Sequence, residues 1–115
     1  MGVESSSYRL TIMAAPDVAV ALDKEYLLFQ LRKQVPNAAR HLGENGEPTG
    51  SAGSWDTLPE DMKPFSLKHP ALLFRIDERY EYDGTYECRH FIENGKSARI
   101  EPVQTWPEFD VDMLS

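Results

Sequence analysis

Three side chains that could do chemistry are predicted to share one face of a β-hairpin: Glu78, Cys88 and His90. Glu78 is expected opposite Cys88, with His90 as a diagonal neighbour. A thiol beside a histidine and a carboxylate could act as a nucleophile that the neighbouring base activates. The alternative is structural, with Cys88 packed as a small hydrophobic residue and His90 near a sheet edge. We favour the structural interpretation, because no strained nucleophile turn or oxyanion motif accompanies the three residues.

The histidines and glycines predict neither a metal site nor a phosphate site. His41, His69 and His90 lack the spacing of metal ligands along the chain, and a single cysteine does not make a thiolate zinc site. The glycines between residues 43 and 53 are not followed by the Lys-Ser/Thr pair of a phosphate loop. We therefore expect no metal and no cofactor.

The C-terminal residues 104–115 alternate aromatic or aliphatic side chains with acidic ones and contain no Lys or Arg. One interpretation is a solvated tail whose aromatic residues cover the sheet edge. The other is a docking surface for a basic protein, in which aromatic anchors supply most of the binding energy. The residues assigned to this binding surface are Trp106, Glu108, Phe109, Asp110 and Asp112.

An antiparallel meander of three strands, predicted over residues 71–103, must position the candidate side chains. Residues 72–80 and 86–92 both carry their less polar side chains at even positions, the period of a strand with one buried face. A two-residue turn between them would set even positions beside odd ones. A three-residue turn with Gly84 in the left-handed region keeps even beside even, so we favour it. The predicted pairs are Tyr80/Tyr86, Glu78/Cys88, Ile76/His90, Phe74/Ile92, Arg79/Glu87 and Asp77/Arg89.

The second hairpin of the meander turns at Asn94-Gly95, a strong hairpin signal. A type I′ turn would pair Glu93 with Lys96. A bulged turn would instead set Cys88 beside Ile100. The sequence leaves this register open.

The elements before the meander follow from hydrophobic spacing and capping signals. In the long helix, Leu22, Tyr26, Phe29 and Lys33 form one stripe, which Leu27, Leu28, Leu31 and Val35 broaden for packing against a sheet. The later helix is expected to start with a Thr57/Glu60 capping box, to be kinked or split by Pro64, and to face Met62, Phe65 and Leu67 inward. The predicted elements are a strand over 8–13, a helix from 18 or 21 to 34, a further turn or short helix over 36–42 and a helix over 57–68.

These elements predict a single α+β domain over residues 1–115, with two layers and two helices on one face of an antiparallel sheet. A ferredoxin-like, split βαβ arrangement is the first expectation. Residues 1–7 are expected to be disordered, and residues 43–54 to form a mobile loop.

The composition excludes several classes of partner. The net charge is −7 and the isoelectric point is about 4.9, so the basic footprint of a nucleic-acid-binding or anionic-membrane protein is missing. No apolar run approaches the ~20 residues of a membrane-spanning helix. A single cysteine, Cys88, forbids an intrachain disulfide and favours a reducing, cytoplasmic location.

The second half of the chain carries a series of short motifs: Phe65-Ser66, His69-Pro70, Leu73-Phe74, Asn94-Gly95-Lys96 and Phe109-Asp110. Together they resemble small proteins of unknown function from bacteriophages and other mobile elements. The resemblance implies a cytoplasmic accessory protein and brings no catalytic activity with it.

Three functions are compatible with these observations. The favoured hypothesis is a non-enzymatic accessory binding protein of phage or mobile-element type, engaging a basic host protein through an acidic surface. The second is a small enzyme that uses His90 and Glu78 with Cys88. The third is a structural homo-oligomer joined at sheet edges.

Overall fold

The computed structural model describes residues 6–50, 53–80, 87–101, 111 and 114, with the side chains of Tyr80 and Glu87 left aside. Its described part consists of four strands and four helices. In chain order these are β1 (Ser6–Met13), α1 (Pro16–Val20), α2 (Lys24–Gln34), α3 (Pro36–His41), α4 (Leu58–Leu67), β2 (Leu73–Tyr80), β3 (Glu87–Glu93) and β4 (Lys96–Ile100).

The four strands form one sheet in the order β1-β2-β3-β4, and every neighbouring pair is antiparallel. The predicted α+β class is therefore confirmed. The strands follow chain order, and the ferredoxin-like arrangement is not confirmed. The described residues contain four helices, all between β1 and β2. Besides the two main helices expected, α3 agrees with the short helix that the sequence allowed over residues 36–42, whereas α1 was not expected as a separate helix.

The register of the β2–β3 hairpin agrees with the parity argument. Even positions lie opposite even positions, which keeps the apolar side chains on one face. The predicted turn at Gly84 and the Tyr80/Tyr86 pair lie outside the described residues. The confirmed pairs are Glu78↔Cys88, Ile76↔His90, Phe74↔Ile92, Asp77↔Arg89 and Arg79↔Glu87.

The β3–β4 hairpin has the type I′ register that the sequence left open beside a bulged turn. Asn94 and Gly95 both have positive φ angles, 49° and 77°, as a two-residue type I′ turn requires. Glu93 consequently pairs with Lys96, and His90 pairs with Arg99. This register matters for function, because it places Arg99 on the same face as Cys88 and His90.

The predicted long helix is interrupted. A new helix, α2, begins after Asp23, which is its N-cap: the Oδ1 atom of Asp23 accepts a 3.1 Å hydrogen bond from the backbone N–H of Tyr26. The earlier residues form the separate five-residue helix α1. The expected continuous helix to Gln34 therefore begins only at Lys24.

The expected stripe of α2 is wrong for its aromatic residues. Tyr26 and Phe29 are 59% and 60% exposed, whereas Leu27, Leu28 and Leu31 are buried. Packing the Tyr26/Phe29 stripe inward would also have buried Lys33, which belongs to it. The leucine face avoids this desolvation penalty, so it packs against the sheet.

The start of α4 differs from a capping box. Thr57 occupies the N-cap position, but its side chain does not cap the helix. Its hydroxyl instead donates a 2.7 Å hydrogen bond to Oδ2 of Asp61. The expected exchange between Thr57 and Glu60 is therefore wrong, and Asp61 is the partner.

Two further expectations concern the rest of α4. Pro64 lies inside one continuous helix, so the expected split does not occur. Met62 and Phe65 face inward as predicted, whereas Leu67 is 59% exposed. Leu67 contacts the β3–β4 turn instead, where a Cβ atom on Gly95 would lie 2.8 Å from its Cδ2 atom.

The loop after α3 covers the outer edge of β1. The backbone N–H of Leu10 donates to the carbonyl of Gly46 (2.9 Å), and that of Ser6 donates to the carbonyl of Gly53 (3.3 Å). Ser6 is thus a strand residue, which corrects the expected disorder over residues 1–7 for its last two positions. Bonding to the loop also blunts an edge that could otherwise pair with another strand.

The core lies between the sheet and the helices. Apolar side chains at even positions of β1 to β3 share one cluster with the leucines of α2 and the inward face of α4; they are Tyr8, Leu10, Phe74, Ile76 and Ile92. Trp55, in the loop before α4, belongs to the same cluster and anchors that loop to the core. Glu78, Cys88 and His90 lie on this inner face, not on the solvent face.

Candidate functional site

Strand pairing brings the three predicted residues into direct contact. Nε2 of His90 lies 2.9 Å from Oε1 of Glu78, and Sγ of Cys88 lies 3.5 Å from each of these two atoms. Cys88 is fully buried, and Glu78 and His90 are each 7% exposed. Nδ1 of His90 is buried and makes no hydrogen bond within the part of the chain that the structure describes.

Two further side chains complete this cluster, which we call the Glu78 cluster: Tyr8 and Arg99. The Tyr8 hydroxyl donates a 3.0 Å hydrogen bond to Oε2 of Glu78 and accepts a 2.6 Å bond from the backbone N–H of Trp55. Nε of Arg99 donates to Sγ of Cys88 at 3.4 Å. No pattern in the sequence assigned either residue to this site.

The missing signal was long-range strand pairing. Tyr8 reaches Glu78 because β1 pairs with β2 across 70 residues of chain, and no local pattern fixes such a pairing. Arg99 reaches the cluster only in the type I′ register of the β3–β4 hairpin. Asn94-Gly95 was the available clue, but two turn types were compatible with it.

The environment of Glu78 favours the carboxylate. Burial alone would raise the pKa of Glu78, but hydrogen bonds from His90 and Tyr8 outweigh it and leave this pKa below its ordinary value. The pKa of the Tyr8 phenol is raised, mainly by burial and further by the adjacent Glu78 carboxylate. The cluster therefore holds a carboxylate against a neutral phenol.

The environment of Cys88 favours the neutral thiol. Burial raises the pKa of Cys88 to about 11, although Arg99 opposes the shift. A thiol with this pKa is almost fully protonated at neutral pH, whereas nucleophilic cysteines need a lowered pKa and some exposure. The three side chains are in contact as a nucleophile site requires, but the electrostatics favour the packed, unreactive cysteine that was the favoured interpretation of the sequence.

Metal coordination is the other chemistry open to the Glu78 cluster. Glu78, Cys88 and His90 each offer one ligand atom, and these atoms lie within 4.8 Å of one another. A carboxylate, an imidazole and a thiolate are all established zinc ligands. These ligand atoms meet across two paired strands, so the spacing of the residues along the chain does not reveal them.

The other two histidines have packing roles. The His41 ring stacks on Trp55 with ring centres 5.9 Å apart, and its pKa is lowered by burial and by the nearby Arg40. The His69 ring lies 4.8 Å from the ring centre of Phe65, and burial lowers its pKa as well.

The predicted binding surface of the tail falls outside the described residues. This applies to every residue assigned to it. Of the last fourteen residues only Val111, which is exposed, and Leu114 are described. The tail residues concerned are Trp106, Glu108, Phe109, Asp110 and Asp112.

A surface groove of about 880 Å³ runs beside α2, and none of its lining residues belongs to the Glu78 cluster. Phe29 and Leu28 line it together with Lys24, Arg32 and Glu44. Its charges have both signs, and its lining identifies no particular ligand.

Comparisons with known proteins give no family. No family model matches the chain, and no curated protein or solved structure matches it either. Within the described residues, every helix is too short or too polar to cross a membrane. Function must therefore be argued from the charges and contacts of this chain alone.

Proposed function

We propose that this chain is a non-enzymatic accessory binding protein that engages a basic protein partner through acidic segments at one end of its sheet. The observation that carries the proposal is the distribution of charge along the chain. Electrostatic complementarity of this kind steers association and selects partners.

Three segments next to strand ends contain acidic residues and no Lys or Arg: residues 1–5, 81–87 and 102–115. Residues 41–62, from the end of α3 into α4, have the same property. We call the first three the acidic segments. The remainder of the chain has equal numbers of acidic and basic residues, so these segments account for the whole net charge of −7. Their acidic residues are Glu4, Glu81, Asp83, Glu87, Glu108, Asp110 and Asp112.

The acidic segments join the sheet at the same end. Ser6, the first residue of β1, pairs with Tyr80, the last residue of β2. Ile100, the last residue of β4, pairs with Arg89 near the start of β3. The described strand residues to which the segments attach therefore lie at one end of the sheet. Charges of one sign attract a basic surface over about a Debye length.

Trp106 and Phe109 make the tail the strongest of the three segments for docking. Aromatic side chains bury large areas at interfaces, whereas charges at the rim chiefly raise the association rate. We therefore assign the main contact to the tail residues Trp106, Glu108, Phe109, Asp110 and Asp112.

The raised pKa of Cys88 and the burial of its neighbours support a binding function over the enzyme alternative. The loop that hydrogen-bonds to β1 occupies this edge of the sheet, which disfavours a homo-oligomer joined there. The resemblance to small phage and mobile-element proteins, together with a single unpaired thiol, adds a cytoplasmic location in a host cell to the proposal.

The test is a kinetic comparison of two triple variants that remove the same charge. One variant, E108Q/D110N/D112N, neutralises the tail. Its matched control, D17N/E44Q/D56N, neutralises three exposed carboxylates on the folded body. The partner is captured from nuclease-treated host lysate with the wild-type protein, and its association with each variant is then measured over a range of salt concentrations.

The tail variant should associate more slowly than the control and show a flatter salt dependence, while its stability stays within about 1 kcal/mol of wild type. Trp106→Ala should weaken equilibrium binding more than the tail variant does. Association of the tail variant at the wild-type rate in low salt would show that the tail is only a solvated cover of the sheet edge.

A further inference from the structure

Glu78, Cys88 and His90 place three different kinds of metal-ligand atom around one point on the inner face of the sheet. The sulfur lies 3.5 Å from the imidazole nitrogen and 3.5 Å from the carboxylate oxygen, and these last two atoms lie 2.9 Å apart. All three side chains are buried and are held by neighbouring strands instead of a loop.

These distances are close to those of three corners of a zinc tetrahedron. Zinc bonds of about 2.3 Å to sulfur and about 2.0–2.1 Å to nitrogen and oxygen separate the sulfur from either other ligand by about 3.5 Å. The same geometry separates nitrogen from oxygen by about 3.3 Å. Only the contact between Glu78 and His90 would have to widen, by about 0.4 Å, when an ion replaces their direct hydrogen bond.

Outer contacts support two of the three ligands, whereas Nδ1 of His90 has no hydrogen-bond partner among the described residues. The Tyr8 hydroxyl binds Oε2 of Glu78, the carboxylate oxygen that does not face Cys88 and His90. Nε of Arg99 donates to the sulfur of Cys88. Such outer contacts orient metal ligands and tune their basicity.

The charges of the ligands match a divalent cation. On binding, Glu78 would coordinate as a carboxylate and His90 as a neutral ring through Nε2, and the thiol proton of Cys88 would be released to solvent. A thiolate and a carboxylate neutralise a 2+ ion, which limits the cost of burying charge. The ion itself would offset the raised pKa of the thiol.

We propose that Glu78, Cys88 and His90 form a zinc site, with a solvent molecule as the fourth ligand. A thiolate and an imidazole favour zinc over the hard cations magnesium and calcium, which prefer oxygen ligands. None of the three ligands belongs to the acidic segments, so the zinc proposal and the docking proposal can be tested independently.

The test is metal binding by the full chain after removal of metals with a chelator. Zn²⁺ affinity is measured by calorimetry, and Co²⁺ is added separately, because cobalt bound to a thiolate gives a charge-transfer absorption band in the near ultraviolet. The wild type should bind one Zn²⁺ per chain, show the cobalt–thiolate band and melt at a higher temperature with Zn²⁺ than without.

The variants separate ligands from supports. C88S, H90Q and E78Q should each lose more affinity than the about 10–100-fold that loss of an outer contact costs, and Y8F should fall within that range. H69Q and E93Q are the matched controls outside the Glu78 cluster and should bind as wild type. Circular dichroism confirms that each variant is folded before it is scored.

Two results would overturn the proposal. One is a wild-type protein without the cobalt–thiolate band and without stabilisation by Zn²⁺, which needs no variant to fold. The other is Zn²⁺ binding that survives in C88S and H90Q at the wild-type affinity, because this would assign the ion to a different site.

Discussion

The hydroxyl of Ser66 joins α4 to the β3–β4 turn, because it accepts a 2.8 Å hydrogen bond from the backbone N–H of Gly95. The same hydroxyl donates to the carbonyl of Lys63, and Ser66 is fully buried. Ser66→Ala leaves the N–H of Gly95 without this acceptor, so the free energy of unfolding should fall by about 1–3 kcal/mol in urea titrations. Ser54→Ala, at an exposed serine, should change it by less than about 0.5 kcal/mol. Equal effects of the two variants would contradict the role of Ser66.

The meander was the most predictable part of this fold, for a physical reason. In the β2–β3 hairpin, a one-residue slip would have moved every apolar side chain to the wrong face and separated Asp77 from Arg89, so both faces agreed on one register. The β3–β4 register was not predictable in the same way, since β4 is short and its polar residues constrain neither face. Only the φ angles of Asn94 and Gly95 decide it.

The candidate site was half predictable. Glu78, Cys88 and His90 follow from the parity of a single hairpin. The position of Tyr8 depends on pairing between distant strands, and that of Arg99 on the type of the β3–β4 turn, which the sequence left open. Local patterns could therefore not place these two side chains. The spacing of metal ligands along the chain also did not indicate that Glu78, Cys88 and His90 could bind one ion, because these residues meet across two strands of the sheet.

The aromatic part of the predicted inward face of α2 was wrong, whereas its leucines are buried as predicted, and this difference can be tested by substitution. Tyr26 and Phe29 are mostly exposed, whereas Leu31 is 1% exposed. Tyr26→Ser and Phe29→Ser should each change the free energy of unfolding by less than about 1 kcal/mol, whereas Leu31→Ala should lower it by about 2–5 kcal/mol through the cavity it leaves. A loss above about 2 kcal/mol for Phe29→Ser would show that the aromatic face of α2 packs inward after all.

Asp61 should give this protein an acid-sensitive contact. Its Oδ2 atom accepts hydrogen bonds from the Trp55 indole (2.7 Å), the Thr57 hydroxyl (2.7 Å) and the Asn37 amide (2.8 Å). Burial would raise the pKa of Asp61, but these bonds outweigh it and lower the pKa below its ordinary value of 3.8. Asp61→Asn should therefore lower the free energy of unfolding by about 1–3 kcal/mol at neutral pH.

The pH dependence of this effect has a definite sign. Because the pKa of Asp61 is lower in the folded state, the unfolded chain binds more protons as the pH falls. The stabilisation is complete above the unfolded pKa and is lost as the pH falls through the folded pKa. The difference between wild type and D61N should stay constant down to about pH 5 and narrow below it, whereas the control D56N should differ little at any pH. A difference that grows in acid would contradict the assignment.

Cys88 should be unreactive in the folded, metal-free protein. It is fully buried, and burial raises its pKa to about 11. Labelling by a disulfide reagent at neutral pH should therefore be at least about 100-fold slower than in denaturant. The C88A/S54C variant, which moves the thiol to an exposed position, should label rapidly and serves as the control. Rapid labelling of the folded wild type would restore the hypothesis of a nucleophilic cysteine.

The Tyr8 hydroxyl should determine how firmly the loop before α4 is held against the sheet. It accepts the 2.6 Å hydrogen bond from the Trp55 backbone N–H, whereas the Leu10 N–H is bonded to the carbonyl of Gly46 and does not depend on this hydroxyl. In Tyr8→Phe, hydrogen exchange at the Trp55 amide should accelerate about tenfold or more, the equivalent of about 1.4 kcal/mol. Exchange at the Leu10 amide should accelerate less, because only local opening near Trp55 has changed. An equal acceleration at both amides would mean that the hydroxyl contributes only to global stability, and that β1 and the loop before α4 open as one unit.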